Sequence, residues 1–158
     1  MAMNKTLIEG YWQSYLDTLP ANSPLRQRTY VAEQFGDSPE LADELGALIV
    51  AGTKTATCSA LWEWEAEGDP LPTEGYLTIV LNGRDEPLCI IETTEVTIRP
   101  YNEVDAQFAY DEGEGDRSLQ YWRDGHWHFF SQSLPQIGKE PAQDMPLVCE
   151  RFRVIFKE

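Results

Sequence analysis

Cations, cysteines, histidines and long apolar runs are all scarce in this chain. Lysine and arginine together number 12 against 27 aspartate and glutamate, a formal charge of −15. Phosphate neutralisation supplies most non-specific affinity for nucleic acid, so a DNA duplex or a long extended strand is a poor ligand for such a chain. A small, nearly neutral ligand fits it better, and an acidic surface also serves solubility alone. The cysteines Cys58, Cys89 and Cys149 are odd in number, widely spaced and without a C-x-x-C pair. That pattern excludes a disulfide framework, a zinc ribbon and a dithiol redox motif. Each lies in an apolar or strand-like stretch, where a free thiol behaves as a small hydrophobe. The two histidines, His126 and His128, stand two positions apart. A helix puts them on different faces and a strand puts them on one. With no third strong ligand nearby in the sequence, neither a metal nor another cofactor is expected. No run of ~18 apolar residues occurs, which excludes a helical membrane span. The opening MAMNKTLIEG holds no apolar signal core, so a cytoplasmic protein is expected. Walker, Rossmann and G-x-S-x-G patterns are missing as well.

What remains is a chain of 158 residues, 42% hydrophobic and 11% aromatic. That is enough for one domain with one core. Leu7, Ile8, Tyr11, Trp12, Tyr15, Leu16 and Leu19 recur at helical spacing, predicting a helix over 5–19 that Pro20 and Pro24 end. Ser38, Pro39 and Glu40 form a helix start, Leu41, Leu45, Leu48 and Ile49 an apolar face, and Gly52 a stop. Strands are expected over 55–60, 76–81, 87–98 and 147–156, with Asn82-Gly83 as a hairpin signal. Helices are expected over 103–110 and within 117–130, the latter weakened by Gly125. A helical front, several antiparallel-type strands and an inserted helix predict an α+β domain, a small barrel flanked by helices.

Two stretches carry candidate chemistry. Gly52-Thr-Lys-Thr-Ala-Thr57 puts a lone lysine at a helix-to-strand turn. Lys54 there can simply sit at the negative end of the helix and stay solvated. Partly desolvated among hydroxyls, it can instead act as a general base and activate a threonine nucleophile. Residues three apart face opposite ways on a regular strand, so pairing Lys54 with Thr57 requires a bend between them. Residues 103–116 hold six acids and no lysine or arginine. Such a run is usually a solvated loop. Its two glycines allow a tight backbone path that turns one carboxylate inward, where a glutamate near Lys54 can pass a proton to a leaving amine.

Taken in order, Phe35-Gly-Asp-Ser-Pro39, Leu41-Ala-Asp-Glu-Leu45, Gly52-Thr-Lys-Thr-Ala-Thr57, Trp62-Glu-Trp-Glu65, Glu112-Gly-Glu-Gly-Asp116, Ser118-Leu-Gln-Tyr-Trp-Arg123 and His126-x-x-Phe-Phe130 resemble the ASCH domain family, which is PUA-like in fold. The resemblance covers nearly the whole chain. It implies a single ASCH domain over 1–158, with an N-terminal helical extension over about 1–35. Small family members hydrolyse the amide of N4-acetylcytidine with a lysine, a threonine three positions on and a glutamate. Longer members are described as metal-dependent ribonucleases acting on single-stranded RNA. Carried over, the first activity implies Lys54 as base, Thr57 as nucleophile and Glu112 as the acid that protonates or orients the leaving amine, with Glu114 as its alternative. The small members lack the EGEGD form and the N-terminal extension. The leading expectation is therefore an amidohydrolase acting on a small nucleoside. Thr55 would line its site, and Phe35, Trp62 or Trp64 would offer a stacking face or else pack into the core. The ribonuclease alternative uses Lys54 to stabilise a phosphorane, with Arg123, His128 or Ser131 assisting and the acidic run holding a divalent ion. A third reading is a non-catalytic module binding RNA or a modified base in the same cleft.

Overall fold

Five α-helices and five strands form in a computed structural model that describes residues 4–158. In chain order they are α1 (Lys5–Leu16), β1 (Val31–Gln34), α2 (Pro39–Val50), β2 (Ala56–Ala60), α3 (Leu61–Glu67), β3 (Leu77–Leu81), β4 (Pro87–Pro100), α4 (Ala106–Glu112), α5 (Leu119–Ser133) and β5 (Pro146–Phe156). The strand order is β1-β3-β4-β5-β2. β3 pairs antiparallel with β4, and β2 antiparallel with β5. The short β1 runs parallel to β3, a departure from the antiparallel expectation. α2, β2 and α3 lie between the two in sequence, the length of chain a parallel crossover needs.

The chain divides into two compact units. The first comprises Met1–Gly52, Gly75–Glu92 and Arg153–Glu158. Its core sets Ile8, Tyr11 and Tyr15 of α1 against Ile79, Leu81 and Ile90. The Tyr11 hydroxyl donates to the Leu88 carbonyl at 3.1 Å. Ser38 caps α2 as its sequence announces, accepting from the Leu41 N–H at 3.2 Å. The Asn82-Gly83 signal marks a real hairpin but not a two-residue turn. The loop closes from the Asn82 N–H to the Glu86 carbonyl, and Asp85, not Gly83, takes the positive φ. Gly83 is required for closeness instead: a Cβ there would lie 2.4 Å from the Pro39 carbonyl oxygen.

The second unit comprises Thr53–Glu74 and Thr93–Phe152. Phe108 and Ala109 of α4, Trp122 and Phe130 of α5, and Ala56, Ala60, Leu147 and Cys149 of β2 and β5 build its core. Asp105 caps α4, accepting from the Phe108 N–H at 2.9 Å. Ser118 caps α5, accepting from the Tyr121 N–H at 3.0 Å. α5 runs unbroken through Gly125, because burial of Trp122 and Phe130 outweighs the roughly 1 kcal/mol a mid-helix glycine costs. The sequence reading missed α3. Its end signal was present, since Gly68 takes the left-handed conformation that closes it.

Candidate active site

Three backbone features of the second unit converge on Lys54. The chain leaves α2 and enters β2 only at Ala56, so Lys54 sits in the turn ahead of the strand. β2 pairs with β5 from Ala56 to Ala60 without a register shift, so the bend expected between Lys54 and Thr57 is not shown by this turn. Thr55 fastens it to α4 through its N–H, which donates to the Asp111 carbonyl at 2.8 Å, and to β5 through its carbonyl, which accepts from the Phe152 N–H at 3.1 Å. Asp111 is itself held by Arg151 at 2.6 Å. At the end of α4, Gly113 turns left-handed with φ +73°. A Cβ there would meet the Thr53 carbonyl oxygen at 2.7 Å and the Lys54 Cα at 3.1 Å. Glycine alone allows the acidic loop to lie against the lysine turn.

The Lys54 side chain is 1% exposed. Its ammonium donates to the Ala56 carbonyl at 2.9 Å, to Glu112 Oε1 at 3.0 Å and to Glu114 Oε2 at 2.8 Å, with the Glu112 carbonyl at 3.4 Å. The two carboxylates differ in kind. Glu112 is 1% exposed and its other oxygen is occupied: Oε2 accepts from the Trp122 indole N–H at 2.7 Å and lies 3.5 Å from His126 Nε2. Glu114 is 25% exposed. Burial lowers the pKa of Lys54, but the charges of Glu112 and Glu114 and their hydrogen bonds more than reverse this, and the net direction is up. Burial raises the pKa of Glu112, and Lys54, His126 and the Trp122 N–H outweigh it, so the net direction is down. At rest the site therefore holds one ammonium between two carboxylates.

The carried-over residues fall into separate groups. Lys54, Glu112 and Glu114 meet, as expected of an inward glutamate beside the lysine. Thr57 lies on β2 opposite Glu150 of β5, and none of the hydrogen bonds of the Lys54 ammonium goes to it. Arg123, His128 and Ser131 line a polar groove of about 560 Å³ along α5, together with Tyr101, Asn102 and Trp127. Lys54 is not in that lining, which separates the lysine from the groups assigned to assist it in a ribonuclease. Trp62 is half-buried against the core. Trp64 donates its indole N–H to Ser59 Oγ at 2.8 Å. Phe35 belongs to the first unit, half-buried in the loop between β1 and α2.

Sequence reasoning missed Trp122, His126 and Cys58. Trp122 and His126 are four apart on α5, stacked with ring centroids 4.2 Å apart, a spacing visible in the sequence. Cys58 faces Cys149 across the β2–β5 ladder, and its sulfur lies within 4.8 Å of a Glu112 carboxylate oxygen. Burial, and then Glu112, push its pKa well above the usual thiol range. No hint of that contact exists along the chain.

Comparison with known proteins gives the family. The ASCH domain model matches residues 31–156. The solved ASCH domain from Lactobacillus crispatus JV V101 is 34% identical, with a TM-score of 0.90 over 98% of this chain and 96% of that one. A solved protein from Enterococcus faecalis V583 is 40% identical, with a TM-score of 0.82 over 95% of this chain and 88% of that one. No curated protein matches the chain. An α+β, PUA-like architecture and a sequence match spanning four of the five helices and all five strands agree: this chain belongs to the ASCH domain family.

Proposed function

We propose that this protein hydrolyses the N4-acyl amide of a modified cytidine, with Thr57 as nucleophile, Lys54 as base and Glu114, rather than Glu112, as the proton donor to the leaving amine. The observation that carries this reading is the unequal pair of carboxylates on one buried ammonium. Both oxygens of Glu112 are engaged inside the unit, so it serves as a fixed anion that positions Lys54. Glu114 reaches solvent and can meet a substrate nitrogen. The net charge of −15 supports a small uncharged substrate over a phosphate-rich strand.

Lys54 and Glu114 hold one mobile proton between them. Its transfer from Nζ to Oε2 turns the ion pair into an amine and a carboxylic acid, the form favoured when a bound substrate removes water. Thr57 Oγ attacks the acyl carbon and gives its proton to the Lys54 amine, while the Glu114 acid protonates the departing exocyclic nitrogen. The acyl–nitrogen bond breaks, an ester to Thr57 forms, and Lys54 and Glu114 are again ammonium and carboxylate. Water then attacks the ester, giving its proton to Glu114 while Lys54 returns one to Thr57 Oγ. Carboxylic acid leaves, and the proton passes back from Glu114 to Lys54. The cycle requires the Thr57 hydroxyl to come within reach of Nζ once Glu114 engages the substrate.

The test is a panel of acylated and unmodified nucleosides and single-stranded RNA, assayed on wild type, Thr57→Ala and Glu114→Gln. We expect release of cytidine from N4-acetylcytidine by wild type, with kcat lowered at least 10²-fold in each variant, the scale of a general acid or base contribution. Equal turnover by all three proteins, or cleavage of RNA with no acylcytidine turnover, would overturn the reading.

A further inference from the structure

On the far side of Glu112 from Lys54 lies a second cluster. Cys58 of β2, Glu112 of α4 and His126 of α5 bring a thiol sulfur, a carboxylate oxygen and an imidazole nitrogen within 4.8 Å of one another. We propose that these three residues bind a zinc-class divalent cation, at a site that shares Glu112 with the lysine site but does not rest on the hydrolysis proposed above.

The chemistry of the donors argues for it. Sulfur, nitrogen and oxygen from Cys, His and Glu are the ligand types zinc takes, at about 2.0–2.3 Å. Donors at those lengths around a tetrahedral ion stand at most about 4 Å apart, so the cluster closes on an ion with small side-chain movements. The imidazole is already set for the role. Its Nδ1 lies 2.8 Å from the Trp122 carbonyl oxygen. A carbonyl only accepts, so Nδ1 carries the hydrogen and Nε2 is the ring nitrogen that faces Glu112. A histidine whose second nitrogen is tied to a carbonyl is the usual arrangement around a metal. The stacked Trp122 ring fixes the plane. Its N–H occupies one lone pair of Glu112 Oε2 and leaves another for the ion.

The charges also balance. Lys54, Glu112 and Glu114 sum to −1 without a metal. A dication that displaces the Cys58 thiol proton adds one positive charge net, bringing the cluster to zero despite the neighbouring ammonium. Cys58, Glu112 and His126 come from three different elements, so the ion would join β2, α4 and α5. His126 is 16% exposed, the edge by which an ion enters and where a water completes the coordination.

The experiment titrates chelator-stripped full-length protein with Zn²⁺ against a chromophoric competitor, and with Co²⁺ followed by absorption. We expect one ion per chain and a thiolate-to-Co²⁺ charge-transfer band. Cys58→Ser should abolish that band. Both Cys58→Ser and His126→Ala should weaken Zn²⁺ binding at least tenfold, while Cys89→Ser, in the first unit, leaves both readouts unchanged. Wild type that binds no stoichiometric metal, or that binds Co²⁺ without the thiolate band, would overturn the site even if a variant failed to fold. So would tenfold-undiminished binding in the Cys58→Ser, His126→Ala double variant. None of these readouts depends on turnover, so the nucleoside assay can fail while the metal site stands.

Discussion

Lys54→Met is expected to lower the unfolding free energy by roughly 3–5 kcal/mol, the cost of leaving a buried charge without its partner. The side chain is 1% exposed and its principal partner Glu112 is 1% exposed, so no water takes over the lost hydrogen bond. Methionine fills the volume of the lysine stem, which isolates the charge from the packing. The damage lies in the abandoned carboxylate, so removing that charge too should repair much of it. In the double variant Lys54→Met, Glu112→Gln, part of the loss should return, with a coupling of roughly 0.5–3 kcal/mol between the two sites. Urea denaturation of the four proteins measures this directly. A Lys54→Met protein within about 0.5 kcal/mol of wild type, the range of ordinary surface substitutions, would mean that the ammonium is not enclosed as described.

Gly113→Ala should have the second-largest effect, and its cause is backbone rather than charge. At φ +73° an L-residue pays about 1–2 kcal/mol for the left-handed conformation. The new Cβ would also press on the Thr53 carbonyl at 2.7 Å and the Lys54 Cα at 3.1 Å. Those are backbone atoms and cannot swing aside, which adds an overpacking cost of about 1–3 kcal/mol. The loop must move away from the lysine turn, carrying Glu114 with it. Loss of stability with turnover reduced at least tenfold is the expected result, by denaturation and by the nucleoside assay. Gly138→Ala is the control, because it is also left-handed, at φ +74°, but a Cβ added there would meet nothing within 4 Å. It should carry the conformational cost alone. Equal effects of the two substitutions would show that the close approach of Gly113 to Lys54 is immaterial.

Much of this site was legible in the sequence because its parts are local. Gly52–Thr57 announces a lysine in a turn, and the glycine-spaced acids after α4 announce a carboxylate that can face inward. What the sequence could not decide was which glutamate faces which way. That follows from the left-handed turn at Gly113, which leaves Glu112 on the last turn of α4 inside the unit and swings Glu114 toward solvent. The Cys58–Glu112–His126 cluster was illegible for a related reason. It depends on the packing of β2, α4 and α5, and the two histidines invited a local reading as a pair. On α5 they separate, with His126 stacked on Trp122 and His128 exposed. The strands were read from their β-branched runs, but β1 is only the four residues Val31–Gln34, two of them polar, and its parallel pairing lies in chain connectivity.

The proposed hydrolysis turns on Thr57 acting as a nucleophile served by the enclosed lysine. Intact-protein mass spectrometry of the wild type quenched during turnover of N4-acetylcytidine tests this most directly. A fraction of chains heavier by one acetyl group is expected, localised to Thr57 by peptide mapping and missing from Thr57→Ala and Lys54→Met. Hydrolysis that proceeds at the same rate in Thr57→Ala, with no acetylated chain at any time point, would contradict it.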